Sequence, residues 1–131
     1  MGVWAPQLTC IFAEMGRFMS DCLFCRIVAG EIPSTQVLET PLILAFRDIH
    51  PKASTHVLVI PKEHVPTMMQ LETRHAEMLS DLHGSIQKIA EAEKVANGFR
   101  VVVNNGKDSG QEVPHLHYHV LGGKHLSSLP G

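Results

Sequence analysis

The sequence predicts an α+β fold, with a mainly antiparallel sheet of about five strands and one long helix. Two observations lead to this prediction. Short apolar and β-branched segments, the pattern of strands, recur along the chain, and most are joined by short links. One segment has a different period, because its apolar residues recur at spacings of three and four, as in an amphipathic helix. The two strands that flank this helix are the pair for which we expect a crossover connection.

Three strands are predicted before the helix. Residues 37–39 and 42–46 form two short apolar runs, with Pro41 between them as a turn residue. Residues 48–53 contain a proline and several polar side chains, and we interpret them as a loop. Residues 56–61 are a β-branched run closed by proline, which favours a largely buried strand.

The helix and two more strands follow. The spacing of apolar residues predicts a helix over residues 71–90, and Gly98 is expected to end it in a left-handed conformation. Residues 99–103 predict the fourth strand. Residues 104–112 are rich in glycine and polar side chains and predict a loop, and residues 113–121 predict the fifth strand.

The composition indicates one globular domain in a reducing compartment. The chain has 131 residues, of which 44% are hydrophobic and 18% charged, and this suits a single domain with its own core. We expect residues 1–20 to be a poorly ordered extension and residues 21–131 to be the domain. The three cysteines are an odd number, which argues against a disulfide framework and favours a cytoplasmic protein.

Charge and hydropathy exclude two classes of partner. The net charge of −2 provides no basic field that could hold a long nucleic acid, so a single nucleotide would have to be held by local groups. No apolar run approaches the ~18 residues of a transmembrane helix. The apolar run at residues 8–13 is short and follows no basic region, so it does not have the pattern of a signal peptide. We therefore expect no membrane partner.

Three histidines alternate near the end of the sequence, at His115, His117 and His119. Alternate side chains of a strand share a face, so these imidazoles should line one surface of the fifth strand. They cannot all be charged cheaply at close range, so their pKa values should spread and leave some rings neutral and nucleophilic. The pattern alone suits metal binding equally well. The loop at residues 104–111 favours chemistry at a phosphate, because it offers amide donors directly before the histidines.

Cys22 and Cys25 have the two-residue spacing of half a zinc site. The same spacing occurs in disulfides and in pairs of inert thiols. The cysteines by themselves therefore leave all three interpretations open.

Several motifs resemble those of the histidine triad (HIT) family, and in particular of its histidine triad nucleotide-binding (HINT) branch. The three alternating histidines, followed by two apolar residues, resemble the family signature His-x-His-x-His. Further segments that resemble the family follow in the expected order, at residues 24–33, 45–49, 55–61, 110–113 and 121–123. The resemblance covers about residues 21–131.

The resemblance implies a HIT-like fold, a sheet that continues across a homodimer, and hydrolysis of purine nucleoside phosphoramidates. His117 would be the nucleophile that forms a covalent nucleotidyl-histidine intermediate. The main-chain carbonyl of His115 would orient His117, and His119 would stabilise charge on the phosphate oxygens. No cofactor is required for this chemistry. Two alternatives remain open, namely a dinucleoside polyphosphate hydrolase of the same superfamily and a nucleotide-binding scaffold with incidental hydrolysis.

The resemblance also implies a site for a purine mononucleotide or a nucleoside phosphoramidate, with Asp48 accepting hydrogen bonds from the ribose hydroxyls. The residues implied for the apolar slot of the base are Phe24, Ile27, Phe46 and Ile49. Those implied for the phosphate end are Asn104, Gly110, Gln111, Glu112 and Val113. Without the resemblance, the four apolar residues would be interpreted as core and Asp48 as a turn residue.

A structural zinc ion is a further implication of the resemblance. Some relatives complete the cysteine pair with a histidine of the middle strand and with the first histidine of the triad, which here would be His56 and His115. His50 competes for the third position. Four protein ligands would make the zinc structural rather than catalytic. The histidines that we assign to the surface or to a helix face, with no role, are His64, His75, His83 and His125.

Overall fold

The structure, a computed structural model, describes residues 21–127, so the extension expected at residues 1–20 lies outside the described part. The helices and strands are α1 Leu23–Val28, β1 Gln36–Glu39, β2 Ile43–Arg47, β3 Thr55–Pro61, α2 Ala76–Ala92, β4 Phe99–Val103 and β5 Tyr118–Gly122. Short 3₁₀ turns lie at Met68–Gln70, Thr73–His75 and Lys107–Ser109. No helix within the described range is long and apolar enough to cross a membrane.

The five strands form one sheet in the order β1-β2-β3-β5-β4, and each neighbouring pair is antiparallel. Because β3 and β4 are both antiparallel to β5, they run in the same direction. The connection that contains α2 therefore leads from β3 to β4 with β5 between them. The predicted α+β class, with its antiparallel sheet, its long helix and its crossover, is confirmed.

Both faces of the sheet are covered at β2 and β3. The side chains of the layer between the sheet and α2 include Ile43, Ala45, Val57, Val59, Leu82, Ile86 and Ile89. The side chains of the layer between the sheet and α1 are Cys22, Phe24, Ile27, Leu44, Phe46, Leu58 and Ile60. Successive residues of β2 and β3 thus enter opposite layers, which explains why these strands form continuous apolar runs in the sequence.

The start of α2 differs from the prediction. Leu71 has an extended backbone, with φ −72° and ψ 143°, so the helix cannot begin there. The turn before Leu71 is held by Thr67, whose hydroxyl oxygen accepts the amide of Met69 at 3.0 Å. α2 itself begins at Ala76. The predicted start is wrong because the apolar spacing continues from a separate turn into the helix.

The end of α2 is capped by Lys94 and not by Gly98. Lys94 has a φ of 62°, in the left-handed region. Its amide donates to the oxygen of Glu91 at 3.1 Å, and the amide of Val95 donates to the oxygen of Ala90 at 2.9 Å. These two bonds form a Schellman motif, in which the side chain of Val95 is buried. The prediction for Gly98 is wrong because the burial of Val95 fixes the last turn four residues earlier.

The strand that carries the histidines begins at Tyr118 rather than at residue 113. Before it, the amide of Leu116 donates to the oxygen of Val65 at 2.7 Å, outside the sheet ladder. The predicted alternation of faces is nevertheless confirmed. The side chains that enter the α2 layer are Leu116, Tyr118 and Val120. The side chains on the opposite face, toward α1, are His115, His117 and His119.

Candidate active site

A cavity of about 550 Å³ opens on the face of the sheet that α1 covers. Its walls come from α1, from the end of β2 and the loop after it, from β3 and β5, and from the loop after β4. The site residues predicted from the sequence that line this cavity are Phe24, Ile27, Phe46, Asp48, Ile49, Asn104, Gly110, Glu112, Val113, His117 and His119. Its volume is in the range of pockets that hold small-molecule ligands.

One end of the cavity is apolar and built around two aromatic rings. Phe24 and Phe46 meet edge to face, with ring centroids 5.5 Å apart, and Ile27 is buried beside them. Ile49 lies at the rim with 86% of its surface exposed. Phe24, Phe46 and Ile27 therefore belong both to the core and to the cavity wall. Ile49 is too exposed to be a core residue.

The histidines lie beside this apolar end. The ring of Phe24 packs edge-on against the ring of His117 at 5.1 Å. The Nδ1–H of His117 donates to the main-chain oxygen of His115 at 2.7 Å. Because Nδ1 carries the proton in this bond, Nε2 is the ring nitrogen with a free lone pair when His117 is neutral. The ring of His119 follows at a centroid distance of 5.0 Å from His117.

His119 belongs to a second cluster, which it forms with His56 and Asp48 on the wall of the cavity. Its Nδ1 lies 2.9 Å from Nε2 of His56, and the same His56 nitrogen lies 3.4 Å from Oδ2 of Asp48. Burial lowers the pKa of His56. Burial, and next the neighbouring His117 ring, lower the pKa of His119 to about 4. Both rings are therefore neutral near pH 7.

The loop after β4 contributes Asn104, Gly110, Glu112 and Val113 to the cavity wall and is held by its own hydrogen bonds. Gly110, in a left-handed conformation with φ 93°, donates its amide to the oxygen of Lys107. The amide of Gln111 donates to the oxygen of Gly106 at 3.3 Å, and its side-chain nitrogen donates to the oxygen of Pro66 at 2.8 Å. Gln111, predicted to line the phosphate end with the backbone of residues 110–113, is not among the residues that line the cavity, and its polar groups hold the loop together.

Four potential metal ligands form a separate cluster behind the triad, namely Cys22, Cys25, His64 and His115. Nδ1 of His115 lies 3.3 Å from Sγ of Cys22 and 3.6 Å from Sγ of Cys25. Nδ1 of His64 lies 3.2 Å from Sγ of Cys25. All four ligand atoms lie within 4.8 Å of one another.

The third ligand predicted from the sequence is corrected by this cluster, because His64 occupies the position expected for His56 or His50. β3 is antiparallel to β5, and His56 pairs with Leu121 at the far end of the ladder. A residue just after β3 instead comes close to residues just before β5, and this brings His64 to His115. The antiparallel order of the strands is a signal from which His64 could have been found. His50 is exposed in the loop after β2.

The cluster fits a tetrahedral zinc ion. Zn–S bonds of about 2.3 Å and Zn–N bonds of about 2.0–2.1 Å at tetrahedral angles require S···N separations of about 3.6 Å, close to those observed. The Nε2–H of His115 donates to the oxygen of Pro61 at 2.8 Å, so the Nδ1 lone pair faces the thiols. Burial, and next the neighbouring Cys22, raise the pKa of Cys25 to about 12, and a divalent cation would offset this effect by stabilising the thiolates.

His75 also differs from the prediction, which assigned it to the surface or a helix face. Its exposed fraction is 3%. Its Nδ1 accepts the amide of Glu72 at 2.9 Å, and its Nε2 lies 3.2 Å from Oε2 of Glu63. His75 thereby ties the turn before α2 to the segment that carries His64, which is a structural role.

Comparisons with known proteins agree with this geometry. A sequence profile described as HIT domain matches residues 29–126. The purine nucleoside phosphoramidase of Escherichia coli (strain K12) is 40% identical over 110 residues, which cover 83% of this chain and 92% of that protein. The 14 kDa zinc-binding protein of Zea mays is 42% identical over 114 residues, which cover 86% and 89%.

A solved structure supports the same relationship. The HIT family hydrolase from Legionella pneumophila Philadelphia 1 superimposes with a TM-score of 0.81 at 46% sequence identity. The match covers 84% of this chain and 99% of that one. Identity and superposition at this level show a common fold over nearly the whole described chain.

Proposed function

The chain belongs to the HIT domain family, and we propose that it hydrolyses purine nucleoside phosphoramidates through a covalent intermediate on His117. The observation that carries the proposal is the bond of His117 Nδ1–H to the oxygen of His115 at 2.7 Å. When the ring is neutral, this bond leaves the lone pair on Nε2, and His117 lines a cavity of about 550 Å³. The name of the Escherichia coli relative, a purine nucleoside phosphoramidase, supports the substrate class.

The chemistry proceeds in two displacements at phosphorus. Nε2 of His117 forms a bond to phosphorus while the P–N bond breaks, and the amine leaves after it takes up a proton. Water then attacks phosphorus, the bond to His117 breaks, and the products are a nucleoside monophosphate and a free amine. His119 stabilises the charge on the phosphoryl oxygens during both steps.

The remaining cavity residues hold the nucleotide. The base lies in the apolar slot between Phe24, Ile27 and Phe46, with Ile49 at its rim. Asp48 accepts the ribose hydroxyls through Oδ2, since its Oδ1 already accepts the amide of His50 at 2.8 Å. Charge-assisted bonds of this kind are stronger than bonds between neutral groups.

Cys22, Cys25, His64 and His115 would hold a zinc ion, which would stabilise the fold around this cavity. The S···N distances support it, and so does the name of the Zea mays relative, a zinc-binding protein. Four protein ligands leave no open position for substrate, so the zinc is structural. Its contribution would be to fix the ring and the main chain of His115.

A homodimer forms through β4, which lies at an edge of the sheet. Phe99 and Val101 on this strand are 38% and 39% exposed, which is unusual for apolar residues on a strand edge that stays unpaired. The opposite edge strand, β1, carries the polar Gln36 and Glu39 at its exposed positions. The apolar edge is therefore the better one for pairing with a second copy.

The experiment that tests the proposed reaction is mass spectrometry of protein mixed with an adenosine phosphoramidate and quenched in alkali. Alkali preserves a phosphohistidine-type bond, so the wild type should gain the mass of one adenylyl group. The matched control is His117→Asn, which should gain none. Hydrolysis by the wild type without an adduct would contradict the covalent intermediate. Binding of the nucleotide without adduct or turnover would favour a scaffold function.

A further inference from the structure

His56 is a buried, polar side chain that the proposed reaction does not use. It lies at the start of β3 and is 5% exposed. Both of its ring nitrogens have partners. The main-chain amide of Lys52 lies 3.0 Å from Nδ1, and Nδ1 of His119 lies 2.9 Å from Nε2. Because each ring nitrogen of His56 has one hydrogen-bond partner, the partners determine which nitrogen carries the proton.

The protonation pattern of His56 follows from its partner at Lys52. A main-chain N–H can donate but cannot accept, so Nδ1 of His56 must be the acceptor and carry no proton. A neutral imidazole has one proton, which must then be on Nε2. The burial that lowers the pKa of His56 keeps the ring in this neutral form near pH 7.

The protonation pattern of His119 follows in turn. Since Nε2 of His56 is a donor, Nδ1 of His119 at 2.9 Å is the acceptor. The single proton of neutral His119 is therefore on its Nε2. That nitrogen is not used in the bond to His56 and belongs to a ring on the cavity wall. His119 thus enters the reaction as an N–H donor, which a phosphoryl oxygen requires.

Asp48 offers the His56 proton a second acceptor, but a weaker one. Its Oδ2 lies 3.4 Å from Nε2 of His56, longer than the 2.9 Å to His119, and beyond the usual range of an N–H···O bond. These three side chains also lie close enough to be candidate ligands of a metal ion. The Lys52 amide argues against a metal there, because it leaves Nε2 of His56 protonated and without a lone pair.

We propose that His56 is a positioning residue that holds the proton of His119 on Nε2 through the chain from the Lys52 amide to His56 to His119. The role of His119 toward a phosphoryl oxygen rests on the proposed function, whereas the position of its proton does not. Loss of His56 leaves both tautomers of His119 accessible. In one of them Nε2 presents a lone pair to the phosphate, and this weakens stabilisation of the transition state.

The direct test is long-range ¹H–¹⁵N NMR of the histidine rings in the full-length protein, which distinguishes the two tautomers. The His119 signals are assigned by comparison with His119→Asn. The wild type should show His119 protonated on Nε2. His56→Leu, which removes the donor at similar volume, should show a mixture with the Nδ1 form. His56→Gln can keep an N–H donor near the position of Nε2 and should restore the wild-type pattern.

Turnover of an adenosine phosphoramidate supplies the second readout. Because turnover scales with the fraction of His119 that is protonated on Nε2, His56→Leu should lower kcat in proportion to the loss of that fraction in the NMR measurement, roughly twofold for equal populations of the two tautomers. KM should change little, and His56→Gln should recover most of the loss. His83→Leu, on the exposed face of α2, is the control for the removal of a histidine. Melting temperatures identify variants that fail to fold.

The two proposals fail in different ways. A wild-type His119 protonated on Nδ1 would overturn the positioning role, and so would an unchanged tautomer and kcat in His56→Leu. A wild type that shows the Nε2 tautomer but hydrolyses no phosphoramidate would overturn the proposed function. It would still support the proton chain, that is, the hydrogen bonds from the Lys52 amide through His56 to His119. A divalent ion that broadens the His56 and His119 signals at one equivalent in zinc-loaded protein would replace the proton chain by a metal site.

Discussion

The main-chain oxygen of His115 accepts the Nδ1–H of His117 at 2.7 Å, while the ring of the same His115 lies 3.3 Å from Sγ of Cys22. His115 therefore belongs both to the histidine triad and to the group of four potential metal ligands Cys22, Cys25, His64 and His115, here called the cysteine cluster. Its main chain orients the proposed nucleophile, and its side chain joins the cysteine cluster. Because both contacts come from His115, we infer that a metal ion or any other interaction that holds the cysteine cluster in place also fixes the direction of the Nε2 lone pair of His117.

The first prediction concerns His117. Its replacement by alanine or asparagine should abolish hydrolysis of an adenosine phosphoramidate, because the ring provides the attacking lone pair. Binding of adenosine monophosphate, measured by calorimetry, should stay within about tenfold of the wild type, since the contacts that we propose for the base and the ribose lie at Phe46 and Asp48. Substantial turnover by His117→Ala would show that the bond-forming nitrogen is elsewhere.

Asp48 carries the second prediction. Asp48→Ala should weaken nucleotide binding by roughly 1–3 kcal/mol, the range for hydrogen bonds to a charged group. The variant should also lose the preference for ribose over 2′-deoxyribose. The structure adds a control, because Asp48 Oδ1 also accepts the His50 amide. Asp48→Asn keeps an oxygen for this bond, so it separates the loop contact from the charge. An unchanged preference for ribose in both variants would reduce Asp48 to a turn residue.

The third prediction concerns stability against pH. His56 and His119 have lowered pKa values in the native state, the latter about 4, whereas an unfolded histidine titrates near 6.5. Burial is the main cause in both, with Asp48 opposing it and Lys52 adding to it. Between about pH 6.5 and pH 4 the unfolded chain therefore binds more protons. The free energy of unfolding should fall as the pH is lowered through this window and should not depend on these residues above it.

Urea denaturation at a series of pH values measures this dependence. The matched variant is His56→Gln with His119→Asn, which removes these two rings and should make the curve less steep between pH 6.5 and pH 4, while His64 and His115, whose pKa values burial also lowers, keep part of the slope. An equally steep curve in the double variant would assign the pH dependence to other groups.

The fourth prediction tests the edge of the sheet. Val101→Lys places a charge on the exposed part of β4, and a buried, unpaired charge strongly opposes association. Light scattering after size-exclusion chromatography should therefore give twice the chain mass for the wild type and the chain mass for Val101→Lys. Glu39→Lys on β1 is the control at the other edge and should leave the mass of the wild type unchanged. A wild type that is monomeric at all concentrations would contradict pairing through β4.

The sequence carried enough information for the fold because its signals were local. The period of two around His117 and the continuous apolar runs of β2 and β3 each depend on a few neighbouring residues, and the structure has both. The end of α2 was different. Gly98 has the favoured residue type for a left-handed cap, but the burial of Val95 outweighed the strain of Lys94 at φ 62°. Contact between distant segments decided that position.

The cysteine cluster shows the same limit of prediction from sequence. The spacing of Cys22 and Cys25 is local, and it indicated half of a possible zinc site, which the structure brings together with His115. The third histidine depends on the register of β3 against β5, and register is a property of the sheet. His56 lies at the start of β3 and His64 lies three residues after its end, so the choice between them required the strand direction.

The last prediction concerns zinc, and it uses this difference between the two histidines. Protein purified without added metal should contain close to one zinc per chain, measured by atomic emission spectroscopy. Cys22→Ser with Cys25→Ser should release the zinc and lower the melting temperature, because metal binding contributes directly to folding.

The histidine variants decide which set of ligands is correct. His64→Ala removes a ring that lies 3.2 Å from Sγ of Cys25, and it should lower the zinc content. His56→Leu should keep the full zinc content, because the His56 ring of the wild type contacts His119 and not the cysteine cluster, with Nε2 of His56 2.9 Å from Nδ1 of His119. Zinc loss should reduce turnover modestly, because the His115 carbonyl that orients His117 would shift, and added magnesium should not restore it. Full zinc content in His64→Ala, with loss in His56→Leu, would return His56 to the metal site and remove the basis for the proton chain through His119.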